Sequence, residues 1–124
     1  MYSKFAFATG IAALVFSSGA LAHHTHAHYE SEANTVLEGT IKDFEWRNPH
    51  SWVTITVVNE QTGEPEDWLL EARAPGALMR SGWTEESLKP GDHVAITIRP
   101  LRSGGTGGLL RSVELADGTS LLDD

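Results

Sequence analysis

Residues 68–100, WLLEARAPGALMRSGWTEESLKPGDHVAITIRP, hold the transition that decides the fold. The stretch opens as a strand, WLLEA (68–72), and closes as another, HVAITIRP (93–100), where Val94, Ile96 and Ile98 alternate with Ala95, Thr97 and Arg99. Between them the two-residue period is lost. Pro75 opens PGALMRSGW, in which Leu78 and Met79 form one face of a helical turn and Gly82 ends it. TEESLKPGD follows, with Thr84 as a helix N-cap, acidic residues in the first turn, and Pro90-Gly91 as the stop. A strand, a short helical segment and a strand therefore occupy the middle of the chain.

Working outward, NTVLEGTIKDFEW (34–46) has no helical period and reads as a first strand, with Gly39 as a bend. SWVTITVV (51–58) is a second, Val53, Ile55 and Val57 facing one way and Trp52, Thr54 and Thr56 the other. The polar turn NEQTGEPED links it to WLLEA, so the first three strands form a meander. After the fourth strand, RSGGTGG reads as a flexible loop, LLRSVELADG as a fifth strand turning at Asp117-Gly118, and SLL as a short last one. Three strands, a helix, then two or three strands is the order of the OB-fold barrel. The expected class is mainly β: a small OB-like antiparallel barrel of five to six strands over residues 35–124, with a short helix between strands 3 and 4. An open sandwich is the alternative. Closure removes the edge strands that a small β-protein would otherwise expose.

The chain's start reads differently. Lys4 precedes an apolar stretch rich in small residues, and Ala20-Leu21-Ala22 is an A-x-A cleavage site, so residues 1–22 have the three parts of a secretory signal peptide. The apolar run is short for a membrane span, which needs about 20 residues, and no basic stop-transfer flank follows. Cleavage after Ala22 implies a periplasmic or secreted protein with no transmembrane anchor. There is no cysteine, so neither a lipid-modified thiol nor a disulfide is available. Lys4 is the only charged residue before position 23, which leaves all 17 acidic residues in the mature part against eight basic ones. That surface argues against nucleic acid as a partner, since phosphate binding needs clustered positive charge.

Chemistry concentrates in two places. EWRNPHSW (45–52) sets Trp46, Asn48, Pro49, His50 and Trp52 at the junction of the first two strands. Pro49 fixes a turn, Asn48 can bond its own backbone there, and His50 is left at a strand start on a rigid corner. The bland reading is a structural turn whose tryptophans plug the barrel. The second place is residues 23–34, where His23, His24, His26 and His28 supply four of the six histidines. If His23 becomes the amino terminus, its amine and ring nitrogen form a chelate. One further imidazole, from His24, His26, His28 or His50, completes the three-nitrogen set favoured by copper(II), with zinc and nickel as alternatives. Against this stands the fact that His-rich tracts bind metals loosely for compositional reasons alone. Glu71, a single carboxylate in the apolar strand WLLEA, pairs in a meander with the His50 strand; it is a candidate ligand or a partner that orients His50. His93 follows a Pro-Gly-Asp turn and is expected to face solvent. No phosphate-binding loop, G-x-S-x-G or H-E-x-x-H occurs.

The start AHH, EWRNPHSW, WLLEARAPGALMRSGW, SLKPGDHVAI and VELADGTSL together resemble a family of small exported bacterial proteins that carries only a domain-of-unknown-function label. The resemblance covers nearly the whole mature chain and implies export and a small β-barrel, with no established activity. Relatives commonly start A-H-H-S followed by an aromatic, so His23 and His24 match the pattern while His26 and His28 are additions.

Two functions fit the sequence. The first is a copper-binding module using His23, His24 and His50, with Glu71, His26 and His28 in support. The second is an envelope binding or assembly module that takes a peptide, protein or small ligand in a groove lined by Trp46, Trp52 and Trp68, with no metal role. An enzyme, such as a copper oxidase, ranks last for a chain with so little room for a cleft.

Overall fold

A computed structural model of the chain describes residues 26–123. The expected signal peptide, His23 and His24 lie outside the described residues. A 3-10 turn, His26–His28, precedes β1 (Thr35–Glu45), β2 (Ser51–Val58), β3 (Pro65–Ala72), α1 (Pro75–Arg80), β4 (His93–Pro100), β5 (Gly107–Leu115) and β6 (Ser120–Leu122). The sheet runs β3-β2-β1-β4-β5-β6, and a further pairing of β3 with β5 closes the first five strands into a barrel. This is the OB-like architecture, with the short helix between β3 and β4. The closing pair is parallel (Leu69 with Gly107, Leu70 with Gly108, Glu71 with Leu109), whereas every other strand pair is antiparallel.

Two-residue alternation supplies the core. Val53 and Ile55 from β2, Leu70 from β3, Ile96 and Ile98 from β4, and Leu110 and Val113 from β5 are all fully buried. An extra residue in β1 (Lys42, against β2) and one in β5 (Arg111, against β4) interrupt the ladders; they add the local bends that a small barrel needs, and the second sets Leu110 and Val113 three residues apart. Leu78 of α1 and Trp83 plug one end. The Trp83 indole donates to the Leu122 carbonyl at 2.8 Å, and Arg73 pairs with the buried carboxylate of Asp123. These two contacts hold β6, which has only β5 as a strand neighbour.

Four local features depart from expectation. The third strand starts at Pro65 rather than Trp68, because the Asn59 side chain accepts from the backbone N–H groups of Gln61 and Thr62 and tightens the turn. Met79 is exposed while Leu78 is buried, since neighbours in a helix point about 100° apart. TEESLKPGD forms turns and no helix. The Thr84 N–H donates to the Ser87 hydroxyl at 2.8 Å, and Leu88 enters the core within one turn's length, too short a run to nucleate. Finally, Gly107 and Gly108 belong to β5 and not to a flexible loop. A Cβ on Gly108 would lie 2.8 Å from the Arg99 carbonyl oxygen, so the close strand approach requires glycine.

Candidate functional site

Strand alternation sends Leu70 and Ala72 into the core and Glu71 to the opposite face of β3. Glu71 is in register with Trp52, and the same period brings His50, just before β2, to that face. A carboxylate on a barrel's outer face is ordinarily hydrated, yet Glu71 is 6% exposed. The segment before β1 accounts for this. Its Tyr29 makes a bridge with Leu101, the Glu30 N–H donates to the Pro100 carbonyl at 2.9 Å, and the Arg102 N–H donates to the His28 carbonyl at 3.0 Å. The Arg102 guanidinium Nε adds a bond to the Tyr29 carbonyl at 2.9 Å. The segment is thus strapped to the β4–β5 connection, and the Tyr29 ring is buried.

Both oxygens of Glu71 are used. The Tyr29 hydroxyl donates to Oε2, and Nδ1 of His50 lies 2.6 Å from Oε1. Burial, then the hydrogen bond to Glu71, then the charge of that carboxylate push the Tyr29 hydroxyl above the usual phenol range. A proton on Nδ1, facing the carboxylate, would leave Nε2 as the nitrogen free to bind a ligand. No hydrogen bond to Nε2 is found among the described residues, and the side chain is 38% exposed. The corner that carries His50 has a cis Asn48–Pro49 peptide, and no hydrogen bond from the Asn48 side chain is found in it.

The remaining candidates fall elsewhere. The His28 side chain is exposed, and His26 and His28 bound the 3-10 turn just before Tyr29. No group of three or more His, Asp or Glu side chains arranged to hold a metal ion occurs among the described residues. His93 is exposed, with Nδ1 3.3 Å from the Thr40 hydroxyl. Trp46 and Trp68 pack against the core, while Trp52 lies on the outer face beside Glu71, so the three indoles do not share one groove. Tyr29 is the residue the sequence reading passed over. Its signal was a lone aromatic in an otherwise polar segment, ahead of the first strand.

Fold and site define a small closed β-barrel whose outer face carries a buried carboxylate shared by a tyrosine and a histidine. No helix among the described residues is long and apolar enough to cross a membrane. The chain belongs to a family of unknown function, DUF6152, whose model matches residues 12–111. No curated protein and no solved structure matches it.

Proposed function

We propose that the protein is an exported metal-binding module in which His50, oriented by Glu71, and the histidines of the N-terminal segment hold a divalent ion, copper(II) suiting the donors best. The observation that carries this reading is the Glu71 carboxylate on Nδ1 of His50 at 2.6 Å. A carboxylate on one ring nitrogen fixes the tautomer and raises the basicity of the other, the arrangement found behind metal-bound histidines. The strap supports it. Tyr29 and His50 meet on one carboxylate, and the six residues from Tyr29 back to His23 can span up to about 16 Å with His26–His28 in their 3-10 turn. A freed amino terminus at His23 is within that reach. The amine, its own imidazole and His50 would make the three-nitrogen set that copper(II) favours, and His24, His26 and His28 are spare imidazoles.

The test uses the chain beginning at His23. Copper(II) titration followed by electron paramagnetic resonance is expected to show nitrogen ligation. His50→Ala, or one extra residue before His23, is expected to weaken binding, and Glu71→Gln by about tenfold to a hundredfold. Unchanged affinity in both His50→Ala and the extended chain would refute the reading.

A further inference from the structure

β1 and β2 are paired only as far as Thr40 with Thr56. Beyond that point Thr35 to Gly39 pair with β4 alone, and Val57 and Val58 with β3 alone, so the two strands fork. Gly39 sits at the apex, where a Cβ would lie 2.2 Å from the Thr56 carbonyl oxygen. The fork opens a cleft of about 1160 Å³.

The direction of the backbone groups in this cleft follows from their neighbours. The Ile41 N–H donates to Asp92 at 2.9 Å and its carbonyl accepts from Gly91 at 2.8 Å, both on the β4 side. Alternation along β1 then turns Thr40, Glu38 and Val36 toward β2. Thr40 meets Thr56 there; Glu38 and Val36 meet no strand. In β2, the Ser51 N–H donates to Arg73 and the Asn59 N–H to Glu64, which directs the odd positions to β3 and the Val58 backbone into the cleft. A short run of sheet edge is therefore left without a strand partner among the described residues. Exposed edges of this kind are templates for an added strand.

The side chains indicate what would fit. Val36 and Val58 are 59% and 61% exposed, and Trp68 is half-buried on the cleft wall. The charged residues lining the cleft are Glu38, Glu60 and Glu66, with no Lys, Arg or His among the lining residues. Glu66 is engaged by the Trp68 indole at 3.0 Å, whereas Glu38 and Glu60 form no ion pair among the described residues. We propose that this cleft takes an extended cationic peptide segment of a partner protein, added as a strand along β1. Backbone bonds to Val36 and Glu38 give the affinity. Val36 and Glu38 share one face of β1, as Glu66 and Trp68 share one face of β3, so each face of the segment carries both an apolar side chain and a basic one, two residues apart. None of Tyr29, His50 and Glu71 lines the cleft, so this site stands or falls apart from the metal reading.

The isotope-labelled full chain would be titrated with a blocked peptide of about eight residues in which valine pairs alternate with lysine pairs, so that each face carries both. Amide shifts should concentrate on Val36, Glu38 and Val58. Methylating alternate peptide nitrogens, or Glu38→Lys in the protein, should each weaken binding about tenfold or more. The methylated peptide needs no altered protein, so it decides the matter even if the variant misfolds. Equal binding of the methylated peptide, shifts centred on Ser120 to Leu122, or capture of detergent micelles in place of the peptide would overturn the proposal.

Discussion

Tyr29 bonds to Glu71 and helps to bury it, and burial together with that carboxylate holds the Tyr29 hydroxyl protonated beyond the usual phenol range. The energetics of this contact set a pH dependence. The phenol of an unfolded chain ionises near pH 10, while burial and Glu71 hold the native hydroxyl protonated well above that. Below about pH 10 both states keep the proton, and the contact's contribution is intact. As the pH climbs further the unfolded chain ionises first, so stability is lost. The urea midpoint should therefore hold up to about pH 9 and fall as the pH rises through about 10 and beyond, and fall less in Tyr29→Phe, which at neutral pH costs about 1–3 kcal/mol. An equal fall in both proteins would show that the Tyr29 contact is not formed in solution. At this scale the sequence is half legible. Glu71 and His50 can be matched because neighbouring meander strands pair and periodicity assigns their faces. Tyr29 cannot, because a contact across 42 residues from outside the strands leaves no periodic trace.

The strands themselves were readable from alternation, since one buried face imposes a period of two on β2 and β4. Where alternation gives way to glycine, the reading fails. RSGGTGG looks like loop by composition, yet its last two glycines pair with β3 and β4 because side chains there would strike the neighbouring backbone. Helical potential in TEESLKPGD was likewise overruled, since Leu88 must reach the core from a segment fixed at both ends by Trp83 and β4. Gly39 is the strictest of these positions. Its would-be Cβ meets a carbonyl oxygen and not a side-chain tip, so the strain cannot be relieved by a rotamer change. Gly39→Ala should destabilise the barrel by about 3 kcal/mol, measured by urea unfolding, with the β1–β2 pairing near Thr40 the first to lose hydrogen-exchange protection. A loss under about 0.5 kcal/mol would mean that the strand apex sits more openly than described.

At the scale of the whole molecule, the parallel β3–β5 pair closes the barrel, and the strap ahead of β1 lies over its outer side. The order of strands and helix implies a closed barrel, but no sequence pattern gives the closing pair or its register, because it joins strands separated by a helix and another strand. Closure and strap are nevertheless separable. The core residues of all five barrel strands pack without any contribution from residues before Leu37. The strap adds one buried aromatic ring and bonds from Glu30 and Arg102, against the ordering of a few residues. A chain starting at Ser31 should therefore still fold cooperatively, and be less stable by about 3 kcal/mol. Amide exchange should rise at Arg102, whose N–H loses the His28 carbonyl, and stay slow at Ile96 in the core. Glu71 would become more accessible on the outer face, and His50 would keep its carboxylate partner. If the shortened chain instead failed to fold, the strap would be part of the barrel's closure. Retention of full stability would mean that Tyr29 does not cover Glu71 in solution.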